Sequence, residues 1–143
     1  MRRLLSSLLV IVLLSSQAFA AVTYSTASKN AQLDTVTTSI GNAGLLVIGT
    51  SSLSGATGVL CTITLNSPVA ASASGGVLTF SGFSKTCAAT ATGTAAKAEI
   101  RTAGGTVIIS GLTVGTSGTD VIVDNTSYNN LQVYTASALT ITK

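Results

Sequence analysis

The stretch TAAKAEIRTAGGTVIISGLTVGTSGTDVIV, residues 94–123, carries the signal on which the fold turns. Ala96, Ala98 and Ile100 alternate with Lys97, Glu99 and Arg101. A period of two belongs to a strand with one covered face and one solvated face. Ala103-Gly104-Gly105-Thr106 comes next, and its glycines accept the positive φ of a tight hairpin turn. Val107-Ile108-Ile109 is a β-branched run, and Gly115-Thr116-Ser117-Gly118 reads as a second hairpin turn into Val121-Ile122-Val123. The segment therefore reads as successive antiparallel strands.

The pattern extends outward on both sides. Upstream, residues 45–48 are a short apolar run, and Val59, Cys61, Ile63 and Leu65 alternate with polar positions until Asn66-Ser67-Pro68. Gly75-Gly76 precedes residues 77–83, where Leu78 and Phe80 share a face. Downstream, Asn129-Asn130 leads into Leu131-Gln132-Val133, and Leu139-Thr140-Ile141 closes the chain. About eight short strands at regular spacing imply a mainly β domain, an antiparallel β-sandwich of jelly-roll-like type. Ser and Thr supply 38 of the 123 residues from Ala21 onward, a composition that leans toward disorder. Against that lean, the apolar residues are β-branched and periodic, and the chain has one Pro. A folded domain over residues 21–143 is the expectation.

One segment breaks the two-residue period. Tyr24, Ala27 and Ala31, then Leu33, Val36 and Ile40, recur at steps of three and four, with polar residues between them. Thr23 or Ser25 can cap the start, and Gly41-Asn42-Ala43-Gly44 is a natural stop. This predicts one N-terminal amphipathic helix over about residues 24–40, packed on a face or an open end of the sheet. Residues 35–39 are weak helix formers, so tertiary contacts must hold that end.

Residues 1–20 read as a secretory signal peptide: Arg2-Arg3, an apolar run through Leu14, and Ala18-Phe19-Ala20 before the cleavage point. The run is short for a membrane span, so the membrane enters only if this segment is retained as an anchor. Without Arg2 and Arg3, five basic and four acidic side chains remain, a net of +1. Lys29, Lys85, Lys97, Arg101 and Lys143 are scattered, with no stripe to neutralise a run of phosphates, which argues against nucleic acid as a partner. Secretion, or the periplasm and cell envelope, is the expected destination. In such an oxidising compartment Cys61 and Cys87, the two cysteines, read as a disulfide closing a loop of about 26 residues and adding roughly 3 kcal/mol.

Chemistry-bearing residues are sparse. The chain has no His and four carboxylates (Asp34, Glu99, Asp120, Asp124), which excludes a Ser-His-Asp triad and argues against a zinc site. Asp120 and Asp124 lie about 13 Å apart on a strand, too far to share an ion, and read as turn caps. Gly115-Thr116-Ser117-Gly118 lacks the lysine of a phosphate loop, and Asn125-Thr126-Ser127 is a glycosylation triplet common by chance in a Thr-rich chain. No catalytic, cofactor or metal residue emerges. Tyr128 and Tyr134, if exposed together, are the candidate surface contact for a glycan or receptor.

Several motifs resemble a group of small phage-encoded virion-associated proteins, of the head, tail-accessory or decoration type. They are Thr23-Tyr24-Ser25-Thr26-Ala27 with Lys29-Asn30-Ala31 and Leu33-Asp34, Ala91-Thr92-Gly93-Thr94-Ala95, Val114-Gly115-Thr116-Ser117-Gly118-Thr119-Asp120, and Leu139-Thr140-Ile141-Thr142. The resemblance covers nearly all of residues 23–142 and implies no catalytic residue. It implies a virion structural protein that decorates or cements a capsid, tail or envelope surface, as a homo-oligomer or within a larger assembly. The signal peptide and the cysteine pair set this chain apart from that group and point to export. The other function class is a secreted adhesion module acting through Tyr128 and Tyr134.

Overall fold

The computed structural model describes residues 22–143. The expected leader and its expected cleavage point lie outside the described residues. The chain opens with helix α1 (Thr26–Ile40), where Ser25 caps the first turn as its Oγ accepts from Ser28 N at 3.2 Å. The helix ends at Gly41, whose φ of 70° turns the chain out while its N–H bonds Thr37 O. In its weak C-terminal half the polar side chains bond back to the helix itself, which satisfies them without adding stability, so packing holds that end. The hydroxyls of Thr35, Thr37, Thr38 and Ser39 each donate to the carbonyl four residues earlier. The buried stripe is narrow, consisting of Leu33 and Ile40 with Val36 half-buried beside them.

Ten strands follow: β1 (Leu45–Ser54), β2 (Thr57–Thr64), β3 (Val77–Thr79), β4 (Lys85–Ala88), β5 (Gly93–Thr94), β6 (Lys97–Arg101), β7 (Val107–Gly115), β8 (Val121–Val123), β9 (Ser127–Tyr128) and β10 (Val133–Thr142). Eight of them form one sheet in the order β2-β1-β6-β7-β8-β10-β3, with β4 also paired to β10, while β5 and β9 make a separate two-stranded ladder. The mainly β expectation holds, and the sheet curls into a half-barrel. Strand β2, at one end of that order, and β4, which pairs the same β10 as the last strand β3, are drawn together by the Cys61–Cys87 disulfide, with Cα atoms 6.0 Å apart. One backbone bond, Thr90 N to Leu60 O at 2.8 Å, lies beside it.

Inward alternation fills this curl. Leu46, Ile48, Leu60, Leu78, Ile100, Val121 and Leu139 are all at most 2% exposed. One end of the half-barrel is closed by α1, which packs against β3 and β7. Asp34 Oδ1 accepts from Ala73 N (2.7 Å), Asn30 Oδ1 from Gly76 N (2.9 Å), and Lys143 Nζ donates to Gln32 Oε1 (2.9 Å). The opposite end carries the β5–β9 ladder and the pair Tyr128 and Tyr134, whose rings stack 3.9 Å apart at 15°.

Two local expectations are corrected, and one strand that the sequence did not announce is added. Gly115-Thr116-Ser117-Gly118 does not make a hairpin, because β7 and β8 pair in parallel, Val114 with Val121 and Gly115 with Ile122. The cause is Asp120. Its Oδ2 accepts from both Thr113 N (2.8 Å) and Thr113 Oγ1 (2.7 Å), taking the place a returning strand would need. The polar face of β6 is not open to water throughout, since Glu99 is 7% exposed. The end of the β1–β2 hairpin folds over it, pinned by Arg101 Nη2 donating to Gly55 O at 2.7 Å. Strand β4 carries no clear alternation in the sequence. Only its pairing with β10 defines it.

Candidate interaction surface

Tyr128 and Tyr134 do not form an exposed platform, which corrects their reading as surface contacts. They are 1% and 5% exposed. Tyr128 lies opposite Gly93 in the β5–β9 ladder, where a Cβ would press on Leu60 and Thr50. Tyr134 Oη accepts from Asn129 N at 2.7 Å and donates to Gln132 Oε1 at 3.0 Å, which ties the rings to the turn before β10. Among the described residues Tyr128 Oη has no hydrogen-bond partner. Burial, then the charge of Asp124 and the neighbouring Tyr134, push its pKa up to about 12. The pair packs and orders the end of the barrel. It offers nothing to a glycan.

What that turn displays is apolar instead. Leu131 follows Asn129 and Asn130 and is 81% exposed, with a left-handed φ of 68°. Leucine disfavours that conformation by roughly 1–2 kcal/mol, because Cβ crowds the next carbonyl. Two bonds hold it there, Leu131 N to Ala89 O (2.8 Å) and Gln132 N to Asn129 O (3.1 Å). Val133, two residues on, is 65% exposed and stands opposite the exposed Ala88 of β4. A strained backbone that presents leucine to water, with valine and alanine beside it, has the character of a contact surface. The sequence signal was there in Asn129-Asn130-Leu131-Gln132-Val133, but period-two reading put Leu131 inside a strand.

A second set of exposed apolar groups lies before the helix. Val22 and Tyr24 are 83% and 59% exposed, and no hydrogen bond involves residues 22–24 among the described residues. The polar clefts are shallower in chemistry. One of about 530 Å³ opens along the seam between β2 and β4, lined by Thr62, Ile63, Thr64, Ser84, Lys85 and Thr86. Another of about 260 Å³ lies under the β1–β2 hairpin, beside Lys97 and Glu99. Glu99 there is already committed, with Oε2 accepting from Arg101 Nη2 at 2.6 Å and Nε at 3.1 Å.

Asp120 caps its turn as expected. Asp124 is exposed, and the following turn is closed by Asn125 Oδ1 accepting from Ser127 N at 2.8 Å. The described residues hold no group of three or more His, Cys, Asp or Glu that could bind a metal ion, and no helix long and apolar enough to cross a membrane. Cys61 and Cys87 are joined, as the cysteine count implied. With the geometry in place, comparison with known proteins adds no relative: no family model, no curated protein and no solved structure matches this chain.

Proposed function

We propose that this chain is a non-enzymatic structural protein that decorates or cements a larger assembly by surface packing. One observation carries the reading: a leucine held in left-handed backbone and 81% exposed at the turn before β10, with Val133 beside it. An isolated domain gains nothing from exposing that group at the cost of backbone strain, whereas a partner that covers it recovers the apolar burial. The composition agrees with it. The sequence is rich in Ser, Thr and Ala and low in charge. The phage-like motifs around the helix and in the turns support a virion-type role, with the curled sheet as a jelly-roll-like decorating domain. The disulfide favours an oxidising compartment and so an exported or envelope-associated assembly.

The test is the state of the protein as its producing cells make it. Intact-mass spectrometry reports where the chain starts and whether it is two mass units light for the disulfide. Light scattering, with sedimentation of any particles, reports what it is assembled with. A multimer, or cosedimentation with a particle, is the expected result. A strictly monomeric chain that sediments with nothing refutes the reading.

A further inference from the structure

Along one stretch of the seam between β2 and β4 the sheet does not close. Leu65 N donates to Gly44 O, so by antiparallel alternation Ile63 and Leu65 direct their backbone groups to β1, while Thr62 and Thr64 direct theirs away from it. On β4, Ala89 N donates to Gln132 O, so Lys85 and Cys87 bond β10 and Thr86 turns its N–H and C=O toward β2. Leu60 O and Thr90 N belong to these same outward sets, and they meet at 2.8 Å. Beyond that bond the strands part around a cleft of about 530 Å³, lined by Thr62, Ile63, Thr64, Ser84, Lys85 and Thr86. They meet again where Ser81 N donates to Val69 O at 2.9 Å. Among the described residues, the backbone groups that Thr62, Thr64 and Thr86 turn into this cleft have no partner.

The walls of the cleft also hold a cation. Lys85 is half-buried, on the same side of β4 as the buried Cys87 and opposite the buried Ala136. The one ion pair among the described residues is Arg101 with Glu99, and no carboxylate lines the cleft. A peptide strand does not fit between β2 and β4. It would hold them about 9.6 Å apart, twice the strand spacing, whereas the Cα atoms of Cys61 and Cys87 at the edge of the cleft are 6.0 Å apart. We propose that the cleft is an oxyanion site, taking the phosphate or sulfate group of a small molecule between β2 and β4. Strand-edge N–H groups and hydroxyls stand on both walls, with the ammonium beside them. A tetrahedral ion presents oxygens to both walls at once, which a planar carboxylate cannot do. The volume exceeds that of the bare ion and leaves room for an ester part such as a sugar, whose hydroxyls can donate to the unpaired carbonyls of the two edges. This site goes beyond the assembly reading and does not depend on it.

The experiment titrates inorganic phosphate, and separately glucose 6-phosphate, into the full chain at constant ionic strength, with backbone amide shifts followed by NMR. The amides of Thr62, Thr64 and Thr86 should move together and saturate, with a dissociation constant of about 1 mM or tighter. Lys85→Gln should weaken binding by about tenfold or more, and Lys85→Arg, which keeps the charge, should retain it. Lys97→Gln removes an equal charge from β6 and should leave binding unchanged. The amide spectrum of each variant shows directly that it is folded. Tighter binding of the ester assigns the site to a phosphorylated sugar, and equal binding assigns it to the free ion. Shifts that do not saturate, that spread evenly over the sheet, or that weaken as much in Lys97→Gln as in Lys85→Gln mean an adventitious ion only, and overturn the proposal. The same holds if Lys85→Gln binds as well as the unsubstituted chain.

Discussion

Reducing the Cys61–Cys87 bond opens the half-barrel along one line. The disulfide joins β2 to β4, the two strands that would otherwise be free edges of the curl, and the backbone adds one bond beside it, Thr90 N to Leu60 O. At the far end of the same seam, Ser81 N donates to Val69 O at 2.9 Å, and Ala70 bridges Phe80. The cysteines are 26 positions apart. Closing a loop of that length removes about 12 cal/mol/K of chain entropy from the unfolded state, or about 3.5 kcal/mol at 25 °C. With a urea slope of about 2 kcal/mol/M, the unfolding midpoint should fall by roughly 1.7 M on reduction. The assay is urea unfolding with and without reductant, each state followed by native-state amide exchange. Exchange should quicken first at the amides of Leu60, Cys61 and Thr90, while the centre of the β1–β6 pairing stays protected. A midpoint shift below about 0.5 M would refute the reasoning, as would protection lost evenly over the sheet, because either result means the seam closes without the bond.

Tyr128→Phe removes a buried hydroxyl that has no partner among the described residues, so stability should stay level or rise by up to about 1 kcal/mol, read by thermal or urea unfolding. The same hydroxyl sets an alkaline limit. Its folded pKa of about 12 exceeds the unfolded value near 10, so the folded state holds this proton more tightly, and stability falls as pH rises between those values. The loss is on the order of 2 kcal/mol, and Tyr128→Phe should flatten it in unfolding curves taken across that window. Leu33→Ala should cost about 3 kcal/mol and release the helix, seen as lost exchange protection in α1 ahead of the sheet, since Leu33 is 1% exposed and anchors the narrow stripe. Arg101→Ala should cost about 2–3 kcal/mol by leaving Glu99 buried without its cation, and the double variant with Glu99→Gln should recover part of that loss.

Local chemistry determined a good deal of this protein by itself. The two-residue period puts Ala98 and Ile100 inward and marks β6 and β7 as strands. The glycines at Gly104 and Gly105 make the turn between them, with Gly105 at φ 89°. The three- and four-residue steps from Ala27 to Ile40 mark the helix, with Ser25 and Gly41 at its ends. An even cysteine count pointed to the bond that the fold contains. Each of these signals acts over a few residues, or in the cysteine case through simple arithmetic.

What the tertiary structure decided depends on partners far away in sequence. Lys85-Thr86-Cys87-Ala88 has no strand pattern of its own and becomes β4 because β10 lies beside it. Tyr128 and Tyr134 could face water or each other, and the ladder opposite Gly93 turned them inward as a stacked pair. Glu99 alternates like a solvated residue, yet a hairpin some 45 residues earlier covers it through Arg101 and Gly55. Leu131 reads as strand from its neighbours, but the bond to Ala89 holds it in left-handed backbone and leaves it in water. Period and propensity report which way a side chain points relative to its own strand. Whether that side meets a core, a covering hairpin or solvent is set by which distant segment arrives there, and no window of a few residues contains that information.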